Sequence, residues 1–225
     1  KTIRDHVRTV HGVAIIAEDP WLVKAESFYT VIQLGSDENP DIDEVFSPSE
    51  PSGEPHRFRM TPSAHLVRVE DLRFAYPGGE EILGGISFSL GRGDIAFITG
   101  PNGAGKSTLA KLLAGLLKPS SGDIHLDGRS YGGMNADGIA SRVGLTFQNA
   151  ALHLSRGTVR EEFALAERWG RPAWRWAGVF GLDRVFGSHP LELTRAGVKR
   201  LATALAAGGN PDMIILDEPS QYQDG

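Results

Sequence analysis

Gly100-Pro101-Asn102-Gly103-Ala104-Gly105-Lys106-Ser107-Thr108 stands between an apolar run, residues 95–99, and a helix-like stretch, residues 109–117. It satisfies G-x-x-x-x-G-K-[ST] in the strand-loop-helix setting where that pattern has a mechanism. Glycines let successive backbone N–H groups wrap a phosphate, and the helix that follows adds the positive end of its dipole. In such a loop Lys106 reaches the β- and γ-phosphates and the Ser107 hydroxyl ligates Mg2+. The bland alternative is a glycine-rich turn that only caps a buried strand; strand and helix together favour the phosphate.

Around this loop the chain reads as mixed α/β. Residues 66–74 alternate as a strand, Pro77-Gly78-Gly79 makes a turn, and residues 86–90 form a second strand, so a small antiparallel sheet precedes the loop. Beyond it, residues 123–126 and 143–147 are strands, and residues 159–180 are mainly helical with a break near 170–172. Trp169, Trp174 and Trp176 in that stretch read as packing residues, because no basic groove surrounds them. Thr194 can N-cap a helix whose Val198, Leu201, Ala202 and Leu205 share one face, with Gly208-Gly209 closing it. Residues 213–216 form an unbroken apolar run, expected as a buried parallel strand that delivers Asp217 and Glu218 at its C-terminal end. Adjacent carboxylates there have a use: a metal to hold and a proton to accept.

Before residue 65 the composition changes twice. Residues 1–10 suggest the end of a helix with Gly12 as its C-cap, 13–17 a short buried strand, 18–29 a helical piece, and 31–34 another strand. Residues 36–64 are rich in acids, prolines and serines, as in Ser47-Pro48-Ser49-Glu50-Pro51-Ser52-Gly53, and read as a flexible linker.

The 225 residues carry 23 basic and 28 acidic side chains, a net charge of −5, which argues against a nucleic-acid surface made by bulk charge. With no cysteine, disulfides and thiolate metal sites are excluded, and a reducing compartment fits. No apolar run approaches the roughly 20 residues that span a bilayer. A role at a membrane would therefore run through a partner.

From residue 66 onward these motifs stand in the order of an ATP-binding-cassette ATPase, and the chain resembles that family. The resemblance implies a P-loop fold with a mainly parallel core sheet, a small antiparallel β-subdomain and a helical subdomain, here without its C-terminal part. It also implies ATP and Mg2+ as ligands. Tyr76 resembles the adenine-stacking aromatic and Gln148 the glutamine-loop residue that touches Mg2+ and the attacking water. Asp217-Glu218 resembles the Walker B pair, Asp217 holding Mg2+ and Glu218 polarising the water; Lys106, Gln148 and Glu218 are thus the catalytic candidates. Leu193-Thr194-Arg195-Ala196-Gly197 corresponds to the signature L-S-G-G-Q, offered in trans to the opposite cassette's γ-phosphate, but Arg195 and Ala196 put side chains where close backbone approach is wanted. The segment after Walker B, Ser220-Gln221-Tyr222-Gln223-Asp224, departs from the family as well.

The head of the chain, Val13-Ala14-Ile15-Ile16-Ala17-Glu18-Asp19, looks like the family's late strand, with Glu18 where the switch histidine stands. The resulting expectation is a piece of a tandem protein: residues 1–35 as the tail of a preceding cassette, 36–64 a linker, and 65–225 a second cassette truncated after Walker B. One composite ATP site would then be degenerate. An unrelated β-α-β segment is the alternative, and the linker's reach also lets 13–34 fold back to fill the gap in the sheet. Residues 122–128, 143–149 and 190–193 are most similar to energy-coupling-factor ATPases, which implies integral membrane transporter subunits and a second cassette as partners, uptake of a vitamin or metal ion, a peripheral place on the cytoplasmic face of the membrane, and no nucleic acid. The rivals are a soluble cassette ATPase acting on DNA or ribosomes, and a regulatory cassette that binds ATP without hydrolysing it.

Overall fold

The computed structural model describes residues 13–17, 30–34 and 65–217. The helical readings of residues 1–10 and 18–29, the Gly12 cap, the linker, and everything after Asp217 lie outside the described residues.

Two sheets are present among them. The first is parallel throughout, in the order β2 (Thr30–Gln33), β5 (Ile95–Thr99), β1 (Val13–Ala17), β9 (Met213–Asp217), β8 (Val143–Thr146). The apolar runs that define these strands are continuous, as expected for a sheet covered on both faces. The second is antiparallel, in the order β4 (Glu81–Gly91), β3 (His65–Ala75), β6 (Ser121–Leu126), β7 (Arg129–Ser130). In β3 the expected alternation is realised: Val67, Val69, Leu72 and Phe74 are buried, after a shift of register between Val69 and Leu72.

Helix α1 (Lys106–Leu113) buries six of its eight residues, Lys106, Thr108, Leu109, Ala110, Leu112 and Leu113. A helix covered nearly all round lies between layers, and its leucines share one core with Val67, Leu90 and Ile124 of the antiparallel sheet and Ile98 and Ile215 of the parallel one. It stops earlier than the apolar pattern to residue 117 suggests. Gly115 adopts φ 71°, and a Cβ there would come within 2.8 Å of Ile139 Cγ2, a residue of α2 (Ala136–Ala140).

A second core joins α3 (Val159–Arg168), α4 (Trp174–Val179) and α5 (Arg195–Ala206) through Val159, Phe163, Trp176, Leu201 and Ala204, with Ile214 of β9 packed against it. Trp174 stacks on Phe163 at 5.2 Å, and the buried Trp176 donates to the carbonyl of Ala207. Trp169 departs from its packing reading: it terminates α3 with its side chain exposed at 74%. At the N-terminal edge of the parallel sheet Arg142 donates to Asp212 (2.6 Å) and Asp127 (3.1 Å), and Arg92 contacts the same two acids. Burial works against the charge on Asp127, but Arg92 and then Arg142 outweigh it and hold the carboxyl below the ordinary range.

Helix α5 lies so close on β8 that a Cβ on Gly144 would stand 2.1 Å from the carbonyl oxygen of Ala206. Backbone cannot yield as a side chain can, so Gly144→Ala is expected to destabilise the fold by about 2 kcal/mol or more, read as a lowered urea midpoint.

Candidate functional site

All five strands of the parallel sheet end at one edge, and there the loop at 100–105 leaves β5. Gly100 has φ 150° and carries its Cα so near the carbonyl oxygen of Leu34 that a Cβ would be 2.7 Å from it; at Gly105, φ 93°, a Cβ would meet Leu83 at 2.8 Å and Ile82 at 2.9 Å. Both positions demand glycine, the first against the strand that precedes residues 35–64 and the second against the β3–β4 hairpin. Gly105 is also the N-cap of α1, and no side chain caps the helix. The positive end of α1 therefore faces the concavity of the loop, which suits an anion. From α1 the Lys106 side chain, 8% exposed, turns back and donates to Gly100 O at 2.5 Å and Pro101 O at 3.3 Å. The ammonium thus lies across the loop that Pro101, Asn102, Gly103 and Ala104 form, with Ser107 and Thr108 in the first turn behind it.

Asp217 ends β9. Its register partner is Ala17, which is level with Ile98 of β5, so a single strand separates the acid from the root of the loop. Two strand spacings put them roughly 10 Å apart, a gap that a phosphate and a divalent cation together can bridge. Asp217 is 5% exposed. It lines a narrow cleft with Thr146, Phe147, Ala150, Lys199 and Thr203. Lys199 and Thr203 sit one turn apart on α5, a pair the sequence reading missed; an i, i+4 polar pair on the helix that packs on β8 was the available signal. Among the described residues no group of three or more His, Cys, Asp or Glu is placed to hold a metal by itself. A cation at Asp217 would need the Ser107 hydroxyl and phosphate oxygens as further ligands, the hard oxygen set that Mg2+ prefers.

Gln148 follows β8 at the same edge, in an exposed loop. The loop is closed at its base by Phe147 and His153, whose rings lie 4.3 Å apart; partial burial shifts the His153 pKa down from its ordinary value. The return limb is fixed by Glu162, 3% exposed on α3, which accepts from the amides of Ser155 and of Arg156, the latter at 2.6 Å. Thr158 and Glu161 complete a capping box at the start of α3. Glu162 was not among the sequence candidates, since an acid beside Glu161 in a first turn reads as dipole compensation.

Tyr76 sits at the end of the β3–β4 hairpin that meets Gly105, its ring 39% exposed and edge-on to Phe74 at 4.9 Å. The Thr194 hydroxyl accepts from Gly197 N at 3.1 Å, so it is the N-cap of α5, with Arg195 and Ala196 as the first helical residues. The structure brings the 100–108 loop, Asp217 and Gln148 to one edge of the parallel sheet, and sets Tyr76 at the turn of the hairpin whose Ile82 and Leu83 face Gly105. Thr194 to Gly197 instead open helix α5, with Thr194 and Arg195 exposed, and Glu218 lies outside the described residues.

A family model described as ABC transporter matches residues 83–221. A protein of Archaeoglobus fulgidus named as an ABC transporter ATP-binding protein is 31% identical over 74% of this chain and 73% of its own length. The energy-coupling factor transporter ATP-binding protein EcfA of Methanocaldococcus jannaschii is 32% identical over 69% of this chain, which spans 60% of that relative. Among solved structures, cbiO1 from Clostridium perfringens, part of the ABC transporter complex cbiONQ, superposes with a TM-score of 0.61 at 28% identity, covering 72% of this chain and 68% of that one. A bacterial Atm1-family ABC exporter with ATP bound gives 0.60 at 26% identity over 73% of this chain and 31% of its own.

Removing the acceptor for two loop amides leaves them partly buried and unpaired. Glu162→Ala is expected to cost about 1–3 kcal/mol of stability and to speed hydrogen exchange at Ser155 and Arg156, while Glu162→Gln, which keeps one acceptor oxygen, should lose less.

Proposed function

We propose, from the premise that the chain belongs to the ABC transporter family, that it is the ATP-binding and hydrolysing part of a transporter, working with integral membrane subunits at the cytoplasmic face of the membrane. The observation that carries this reading is the edge of the parallel sheet, where an uncapped helix N-terminus, a lysine folded over its loop and a buried aspartate are separated by one strand. No helix among the described residues is long and apolar enough to cross a membrane; in this reading partner subunits supply the membrane passage. Similarity to EcfA and to cbiO1 supports an energy-coupling-factor type of uptake, of a vitamin or a metal ion.

In this reading the amides of 101–108 and the Lys106 ammonium hold the β- and γ-phosphates, and Tyr76 stacks on the adenine from the hairpin end. Ser107, Asp217 and Gln148 hold Mg2+, which supplies charge neutralisation for the departing phosphate when bound. Glu218 accepts a proton from the attacking water. A second cassette, joined in tandem or as a separate chain, closes over the nucleotide, and the loop carrying Gln148 passes the resulting motion to the membrane subunits.

The signature of this chain makes a weak contribution to the opposing site. Its Thr194 hydroxyl is engaged by Gly197 N, and Arg195 and Ala196 add side chains at the helix start. Of the two composite sites, the one served by Thr194 to Gly197 is the degenerate one.

Steady-state phosphate release and Mg–ATP titration test the assignment together. Lys106→Ala should lose nucleotide affinity by at least about tenfold, whereas Glu218→Gln should keep the affinity and lose turnover by about 100-fold or more. Unchanged turnover in Glu218→Gln would remove the hydrolytic reading, and capture of no membrane subunit from detergent-solubilised membranes would remove the transporter.

A further inference from the structure

The face that α5 turns to β8 carries polar residues where packing alone would favour apolar ones. Ala206 sets its carbonyl against Gly144 of β8; Thr203 and Lys199, earlier by one and two turns, lie on the same side of the helix and are half-buried. Opposite them, Thr146 follows Gly144 on the same face of β8 and is buried. Thr146 pairs with Leu216, so the next residue along β9 is the buried Asp217. Thr146, Lys199, Thr203 and Asp217, with Phe147 and Ala150, line one cleft that has space for about one water. Within that lining Lys199 is the basic residue and Asp217 the acidic one. Lys106 lies across the 100–105 loop, on the far side of β1. A carboxylate so covered needs a positive or donating partner, because burying a lone charge is costly.

We propose that the Lys199 ammonium is the resident counter-charge of Asp217, facing it across this cleft directly or through a single water, and that it tunes the affinity of the divalent cation Asp217 holds. In the metal-free chain the ammonium steadies the carboxylate, with the Thr146 and Thr203 hydroxyls beside it. Positive centres that share one carboxylate repel each other, the more so in a cleft of low dielectric. A divalent cation therefore binds against the ammonium, and the balance between them sets its affinity. Lys199 is a positioning residue in this scheme, since it acts on the metal through Asp217. The metal half of the inference rests on the reading of Asp217 as a Mg2+ ligand; the pairing of Lys199 with Asp217 does not.

A double-mutant cycle on the full chain, in EDTA and without nucleotide, tests the pairing. Lys199→Met keeps the length of the side chain and loses its charge. It should lower the folding equilibrium constant, read from urea unfolding, at least about fivefold more in the parent than in the Asp217→Asn background. Effects equal within about twofold in the two backgrounds overturn the proposal. Should Lys199→Met not fold, Lys199→Gln runs the same cycle. The second readout is Mn2+ binding with a non-hydrolysable ATP analogue, followed by electron paramagnetic resonance. Lys199→Met should bind Mn2+ about threefold or more tighter than the parent, and Lys199→Arg, which restores the charge, within about twofold of it. Unchanged or weaker Mn2+ binding in Lys199→Met overturns the tuning of the cation. Coupling in the cycle together with no Mn2+–nucleotide complex in any variant would count against the nucleotide reading alone.

Discussion

The site depends on a spacing. A phosphate-binding loop and a carboxylate act on one ligand only if the gap between them matches a phosphate and its cation, and here that gap is one β-strand wide because β1 lies between β5 and β9. Strand spacing is fixed by backbone hydrogen bonding at about 4.8 Å, so the separation is set by the most invariant length a sheet has. Side chains then specialise the two ends: glycines and Lys106 at the root of α1, Asp217 at the end of β9.

The layers around that sheet each make contact at its C-terminal edge. The antiparallel sheet shares its core with α1 and sets Ile82 and Leu83 of its hairpin against Gly105. The helical core is attached through Ile214 and through the backbone contact of Gly144 with Ala206, which places Lys199 and Thr203 beside Asp217. The loop carrying Gln148 bridges the two regions and is held at both ends, by the Phe147 and His153 rings and by Glu162.

Local chemistry made much of this legible in the residues themselves. The loop from Gly100 to Thr108, the β3–β4 hairpin, the break between α3 and α4, and the Thr194 cap follow from glycine freedom, alternation and capping, which act over a few residues. What the residues could not reveal depends on distant partners. The order of strands is one case: apolar runs at 13–17 and 31–34 say strand, but their place in the sheet follows from the family resemblance and not from the residues themselves. Trp169 is another, since the same residue type packs at 174 and 176 and projects to solvent at 169 according to where the helix ends. Glu162 is a third, because its partners are main-chain amides that carry no residue-type signal.

At the edge opposite the loop, Arg142 and Arg92 clasp Asp127 and Asp212 and so bolt the turn after β6 to the start of β9. The antiparallel layer is thus tied by charge at that end, while along its length it shares one apolar core with α1 and the parallel sheet.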